Sequence, residues 1–143
     1  MRDGERRFRA LFDSMFQFTV LLSADCTVLE INQAALFICG LSSDTEVLGR
    51  KFWEVPWPAS QAVIDRLRQG AEAAARGTFV REEHEGYRGD GGRLIVDVST
   101  KPAYDDAGNL IYVIAEGRDV TDRKLMEESL GESEERFRSA MQF

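Results

Sequence analysis

The only histidine, His84, lies in the run Arg81-Glu82-Glu83-His84-Glu85. An imidazole beside carboxylates can move a proton or hold a metal. In so charged a run it reads instead as a half-exposed strand residue paired with its neighbours. Glu82, Glu83 and Glu85 are candidate acid–base groups, but successive strand residues alternate faces and such carboxylates stay solvated. Cys26 and Cys39 are too few for a disulfide framework or a four-thiolate metal site, and their spacing is not C-x-x-C. Both read as small buried apolar residues. Gly89, Gly91 and Gly92 surround Asp90, and no helix follows them, so they make a hairpin rather than a phosphate cradle. The chain has no G-x-S-x-G, G-x-x-x-x-G-K-S/T or H-E-x-x-H motif. No catalytic residue and no metal ligand are expected. Asp119 and Thr121 differ in kind, because they stand where a strand should pass into a helix. A short acceptor there satisfies free helix N–H groups, and a negative charge suits the helix N-terminus.

The elements that must position these groups belong to one domain. The chain has 143 residues, of which 43% are hydrophobic and 30% charged. That length suits one core. The net charge of −7 and the absence of a basic patch argue against a phosphate-binding partner. No apolar run reaches the roughly 20 residues of a membrane span. Met1-Arg2-Asp3-Gly4-Glu5 is not followed by the apolar segment of a signal peptide. A soluble, cytoplasmic domain without direct membrane contact is expected.

Phe8, Leu11, Phe12, Met15 and Phe16 share one helical face and predict an N-terminal helix over residues 1–16. Their bulk suggests dimerisation or docking on the sheet. Phe18 to Leu22 and Cys26 to Ile31 read as a strand pair around Ser23-Ala24-Asp25, a turn without the usual glycine. Asn32 caps a short helix to Cys39, and Ser43 or Asp44 caps another turn. Lys51 to Pro58 is compact and irregular. Ser60 caps a longer helix to about Arg76, which Gly70 weakens. Thr78 to Tyr87, Leu94 to Thr100 and Leu110 to Ala115 read as strands joined by hairpins at Asp90-Gly91-Gly92 and Asp106-Ala107-Gly108. The class is α+β: a five-stranded antiparallel sheet with short helices on one face and amphipathic helices at both ends. The core spans residues 17–119, and residues 120–143 form a linker helix. In that helix Met126, Leu130, Phe137 and Ala140 fit a seven-residue seam, interrupted by Ser133 and Gly131. Glu134-Glu135-Arg136-Phe137-Arg138 echoes Glu5-Arg6-Arg7-Phe8-Arg9 about one domain length earlier, which suggests that a second, similar domain follows.

Gly117-Arg118-Asp119-Val120-Thr121-Asp122-Arg123-Lys124 resembles the D-I/V-T-D/E-R/K ending of PAS domains in bacterial sensor kinases and related signalling proteins. Glu5 to Phe12 is similar to the usual PAS leading helix. Asp90-Gly91-Gly92-Arg93 and Asp106-Ala107-Gly108 resemble its two last hairpins, and Phe52-Trp53-Glu54-Val55-Pro56-Trp57 a subfamily variant. The resemblance covers about residues 5–124. It implies a sensory, signal-relaying and dimerising module, cut from a multidomain signal-transduction protein such as a sensor histidine kinase. The alternative is a small-molecule or flavin-like cofactor receptor regulating another output, such as a cyclic-dinucleotide enzyme. By analogy, Asp119 and Thr121 couple the sheet to the outgoing helix, and Phe37, Cys39, Phe52, Trp53, Trp57, Ile64 and Leu67 would surround a pocket. Implied partners are a second copy, held through the flanking helices, and adjacent PAS and output domains. Haem ligation in the family uses a histidine on the helical side, where His84 does not lie. The reactive cysteine of an N-C-R-F-L-Q-like motif is absent. Neither haem nor a cysteinyl-flavin adduct is expected. A non-covalent flavin near Trp53 or Trp57 stays open, and the cofactor is otherwise unspecified.

Overall fold

The computed structural model describes residues 3–141. In chain order the elements are α1 (Asp3–Ser14), β1 (Phe18–Leu22), β2 (Val28–Ile31), α2 (Gln33–Ile38), α3 (Gln61–Ala75), β3 (Val80–Tyr87), β4 (Arg93–Tyr104), β5 (Leu110–Asp119) and α4 (Thr121–Ala140). Two short 3-10 turns, Asp44–Glu46 and Phe52–Glu54, lie between α2 and α3. The strands form one sheet in the order β2-β1-β5-β4-β3, with every neighbouring pair antiparallel. This is the α+β arrangement that the hairpin signals require.

The core lies between the sheet and its cover of α2, the 3-10 turns and α3. Val20, Leu22, Val28, Ile31, Leu36, Val47 and Val113 are almost wholly buried there. Asn32 is buried too, and all its polar groups are used. Its Oδ1 accepts from the N–H groups of Ala35 (3.1 Å) and Thr19 (3.0 Å), and its Nδ2 donates to the Gln17 carbonyl (2.8 Å). One side chain thereby caps α2 and joins it to β1, as a buried polar group must to repay its lost hydration.

The β1–β2 turn solves its lack of glycine at Cys26, whose φ is +67°. Ser23 accepts at its carbonyl from Cys26 N–H (2.9 Å) and donates its own N–H to Thr27 (2.9 Å). Asp25 is held by the Ser23 hydroxyl, by the Thr27 N–H at 3.3 Å and by Lys51 at 3.2 Å. Those bonds, led by that of Ser23, hold its carboxyl far below the usual range. Gly70 is equally local in origin. A Cβ there would stand 3.3 Å from Thr100 Oγ1, and that hydroxyl donates to the Gly70 carbonyl at 3.1 Å. The weak helix former stands where α3 packs directly on β4.

The N-terminal face differs from its sequence reading. α1 ends at Ser14, so Met15 and Phe16 lie beyond it, and Phe16 is 97% exposed. Phe12 is only 4% exposed, whereas Phe8, Leu11 and Met15 stay open to solvent. The five residues therefore divide into one anchor and four outward groups. Phe8 stacks on Phe12 at 5.2 Å, and Arg9 pairs with Glu30 of β2 at 2.7 Å. At the other end β5 runs on to Asp119, and α4 begins at Thr121.

The loop before α3 docks on the edge strand β3. Tyr87 N–H donates to the Pro58 carbonyl at 2.9 Å. Gly86 makes the approach possible, because a Cβ there would collide with that same carbonyl oxygen. Gly86→Ala should therefore displace the loop. Overpacking of this kind costs about 2 kcal/mol, which lowers the melting temperature of a domain this size by roughly 6 °C. Thermal unfolding followed by circular dichroism checks it, and an unchanged melting temperature would show that the loop yields freely.

Candidate functional site

A cavity of about 80 Å³ lies between the sheet and its helical cover. The alternation of strand residues builds its floor: Phe18 and Val20 of β1, Ala115 and Gly117 of β5, Leu94, Val96 and Val98 of β4, and His84 and Gly86 of β3. Its roof is Ile38 of α2, Phe52, Trp57 and Pro58-Ala59 of the intervening loop, and Val63 and Leu67 of α3. Trp57 is fixed by donating Nε1–H to the Phe52 carbonyl (2.9 Å), and its ring meets Phe52 edge-on at 5.6 Å. Gly117 keeps the floor low, since a Cβ there would stand 3.0 Å from Val96 Cγ1 and 3.1 Å from Phe18 Cδ2.

The wall is almost entirely apolar. Glu85 and Glu116 border it, but their carboxylates pair with Arg93 (2.6 Å) and Lys101 (3.4 Å). His84 is the exception. Its side chain is only 10% exposed, and its Nε2 lies 3.6 Å from Glu82, beyond hydrogen-bond reach. Glu82 itself is engaged by Arg66 Nη2 at 2.8 Å and Nε at 3.0 Å. Burial lowers the His84 pKa from its ordinary value, Glu82 opposes that shift and Arg66 adds to it. The imidazole is therefore mainly neutral at pH 7.

The start of α4 is bolted to the sheet by a second set of contacts. Asp119 Oδ1 accepts from Thr121 N–H (3.0 Å) and from Thr121 Oγ1–H (2.6 Å). Thr121 Oγ1 also accepts from Ile95 N–H of β4 at 2.9 Å, and Val120 N–H donates to the Ile95 carbonyl at 2.9 Å. Arg88, just after β3, donates Nη2–H to Asp119 Oδ2 (2.8 Å) and to Thr121 Oγ1 (3.3 Å). The first two turns of α4 then cross the face opposite the cavity, where Lys124 pairs with Glu83 (3.4 Å) and Glu128 with Arg93 (3.1 Å).

An apolar cavity under short helices and a polar bolt at the sheet-to-helix junction are set in this strand order. The family model for the PAS fold matches residues 12–125. The chain belongs to the PAS family. It is 38% identical over 129 residues to the sensor histidine kinase TmoS of Ectopseudomonas mendocina, covering 88% of this chain and 13% of TmoS. It is 30% identical over 140 residues to the hybrid signal transduction histidine kinase D of Dictyostelium discoideum, covering 96% of this chain and 9% of that protein. The chain thus spans a small part of the length of either relative. The PAS domain of Bordetella pertussis BvgS superposes with a TM-score of 0.66 at 23% identity, over 94% of this chain and 98% of that one.

Within this PAS domain the expected pocket residues fall into three groups. Phe52, Trp57 and Leu67 line the cavity. Cys39, Trp53 and Ile64 pack against the core without lining it. Phe37 is 84% exposed, because the buried face of α2 runs through Ala35 and Leu36 and turns Phe37 outward. Arg68 lies over the Trp53 ring at 4.3 Å. Burial pushes the Cys39 thiol up to about 12, so it is no reactive thiolate. The cavity is about half the roughly 150 Å³ that accepts one benzene ring. Its walls as they stand fit neither a three-ring flavin nor a haem. Among the described residues no group of three or more His, Cys, Asp or Glu is placed to hold a metal, and no helix is long and apolar enough to cross a membrane.

Sequence reasoning missed Arg88 and the loop-docking role of Gly86. Arg88 carried one signal: it directly precedes the glycine hairpin, and a carboxylate at a strand end needs a cation. Burial pushes the Asp119 carboxyl up, but the Thr121 and Arg88 hydrogen bonds outweigh it and hold the pKa below the ordinary value. A pKa lowered by folding stabilises the fold above the unfolded-state value, and that contribution disappears as pH falls through the folded-state value. Wild type should therefore exceed Asp119→Asn in stability at pH 7, and the gap should close below about pH 4. Urea unfolding of both proteins across this range is the check; a gap that persists in acid would assign the effect to shape rather than charge.

Proposed function

We propose that this PAS domain is the sensory relay of a longer cytoplasmic signalling protein, a sensor histidine kinase, in which the content of the cavity sets the position of α4. One observation carries the reading. Three successive residues at the end of β3 touch both the cavity roof and the helix start: Gly86 and Tyr87 meet Pro58, and Arg88 meets Asp119 and Thr121. A molecule that lifts the Pro58 loop moves the strand end that holds Arg88. The bond set around Asp119 then shifts against Ile95, and α4 changes its angle or register. A packed core responds to such a push by switching between discrete arrangements rather than by bending smoothly. The identity with TmoS and histidine kinase D supports a kinase as the parent.

In this reading the domain works as a homodimer through its flanking helices. Leu11, Met15 and Phe16 on one side, and Met126, Leu130 and Phe137 on α4, leave large apolar groups in solvent. Neighbouring PAS and output domains of the same chain would receive the movement.

Arg88→Ala and Asp119→Ala in the full-length parent should leave the core folded and cut the signal-dependent change in autophosphorylation by at least about tenfold, since about 1.4 kcal/mol of lost coupling is a tenfold effect. An intact response in both variants overturns the relay. Sedimentation of Leu11→Asp and Phe16→Asp should show monomers with melting temperatures within a few degrees of wild type. Phe12→Asp should instead unfold the domain, because that ring is buried. A monomeric wild type would refute the dimer.

A further inference from the structure

We propose that the cavity selects small, uncharged, largely apolar molecules bearing one carbonyl or hydroxyl oxygen, and that His84 is the group that recognises that oxygen. This rests on reading the cavity as the receptor site and adds the class of ligand and the selecting residue. Three observations meet here. The imidazole is nine-tenths buried and forms part of the cavity wall. Among the described residues it has no hydrogen-bond partner, and its nearest carboxylate, Glu82, stands 3.6 Å away and is already held twice by Arg66. The other cavity side chains are aliphatic or aromatic, apart from two glutamates engaged elsewhere.

The imidazole has no protein partner among the described residues and keeps only a narrow opening to solvent, so a ligand oxygen in the cavity gains a hydrogen bond there. Neutral histidine offers one N–H donor and one acceptor nitrogen, so it serves a carbonyl as donor and a hydroxyl in either sense. It does not serve a carboxylate well. An anion would lose its hydration in this cavity, and the nearby cation, Arg66, is committed to Glu82. Size narrows the class further. At about 80 Å³ the site has room for only a few heavy atoms, which points to molecules such as short-chain ketones and alcohols. The anchor also sits two residues from Gly86, so an oxygen drawn to His84 brings the rest of the molecule against Pro58 and Trp57.

The test uses this chain and three probes. Butanone and its methylidene isostere share a shape and differ in one oxygen, and butyrate carries the charge. Binding is read from amide and imidazole NMR shifts. Butanone should bind roughly fivefold more tightly than the isostere, the yield of one net hydrogen bond, and butyrate more weakly than butanone. His84→Leu should abolish the preference while keeping the isostere bound, and His84→Gln should restore part of it. A melting curve for each variant confirms its fold, and the wild-type preference decides the matter even if a variant unfolds. Equal binding of butanone and isostere, or tighter binding of butyrate, overturns the His84 inference and leaves the cavity as receptor. Binding of none of the three overturns both.

Discussion

The close approach of Pro58 to Gly86 is the constraint on which the working parts of this domain depend. A backbone carbonyl meets a strand at a residue that has no side chain, and the next N–H takes it. That contact decides how low the roof sits, and so how much space lies beneath it. It also fixes the end of β3, from which Arg88 reaches Asp119. Cavity volume and helix position therefore share a boundary. Without the contact the sheet would still form, because its register is set by the alternation of buried residues and by hairpins.

The two ends of the relay differ in physical character. The cavity is held by packing, with Trp57 fixed to the Phe52 carbonyl and Gly117 leaving room for Phe18 and Val96. Packing is non-directional and tolerates a range of occupants. The helix start is held by directed bonds among Ile95, Asp119, Thr121 and Arg88. These tolerate little displacement before they break. A soft input joined to a geometrically strict output suits a switch.

Much of this was legible in the sequence, and the failures have local causes. The run Leu94 to Thr100 read as the strand that became β4, and the glycine hairpins marked its partners. Asp119 and Thr121 stood out because a helix start needs acceptors. Asn32 was visible as a cap, though not as the tie to Thr19 and Gln17. Phe37 was misplaced because the short helix α2 offers too few turns to reveal which face is buried. The left-handed Cys26 was hidden because a buried thiol at a turn resembles any small core residue. Arg88 was missed because its partners lie 31 and 33 residues away, a distance that no local period spans. His84 read as one more polar residue in a charged strand, yet the pleat turns it inward, opposite Val96.

The position of β3 at the sheet's edge carries one more consequence. An edge strand presents unpaired amides that can recruit another chain. Here Pro58 occupies the Tyr87 amide, and the charges of Arg81, Glu83 and Glu85 guard the rest. Any opening that admits a molecule beneath the roof must uncover the Tyr87 amide for as long as it lasts. Solubility and responsiveness thus pull the same loop in opposite directions, and the domain's tendency to self-associate into strand-paired aggregates should rise with the time its roof spends lifted.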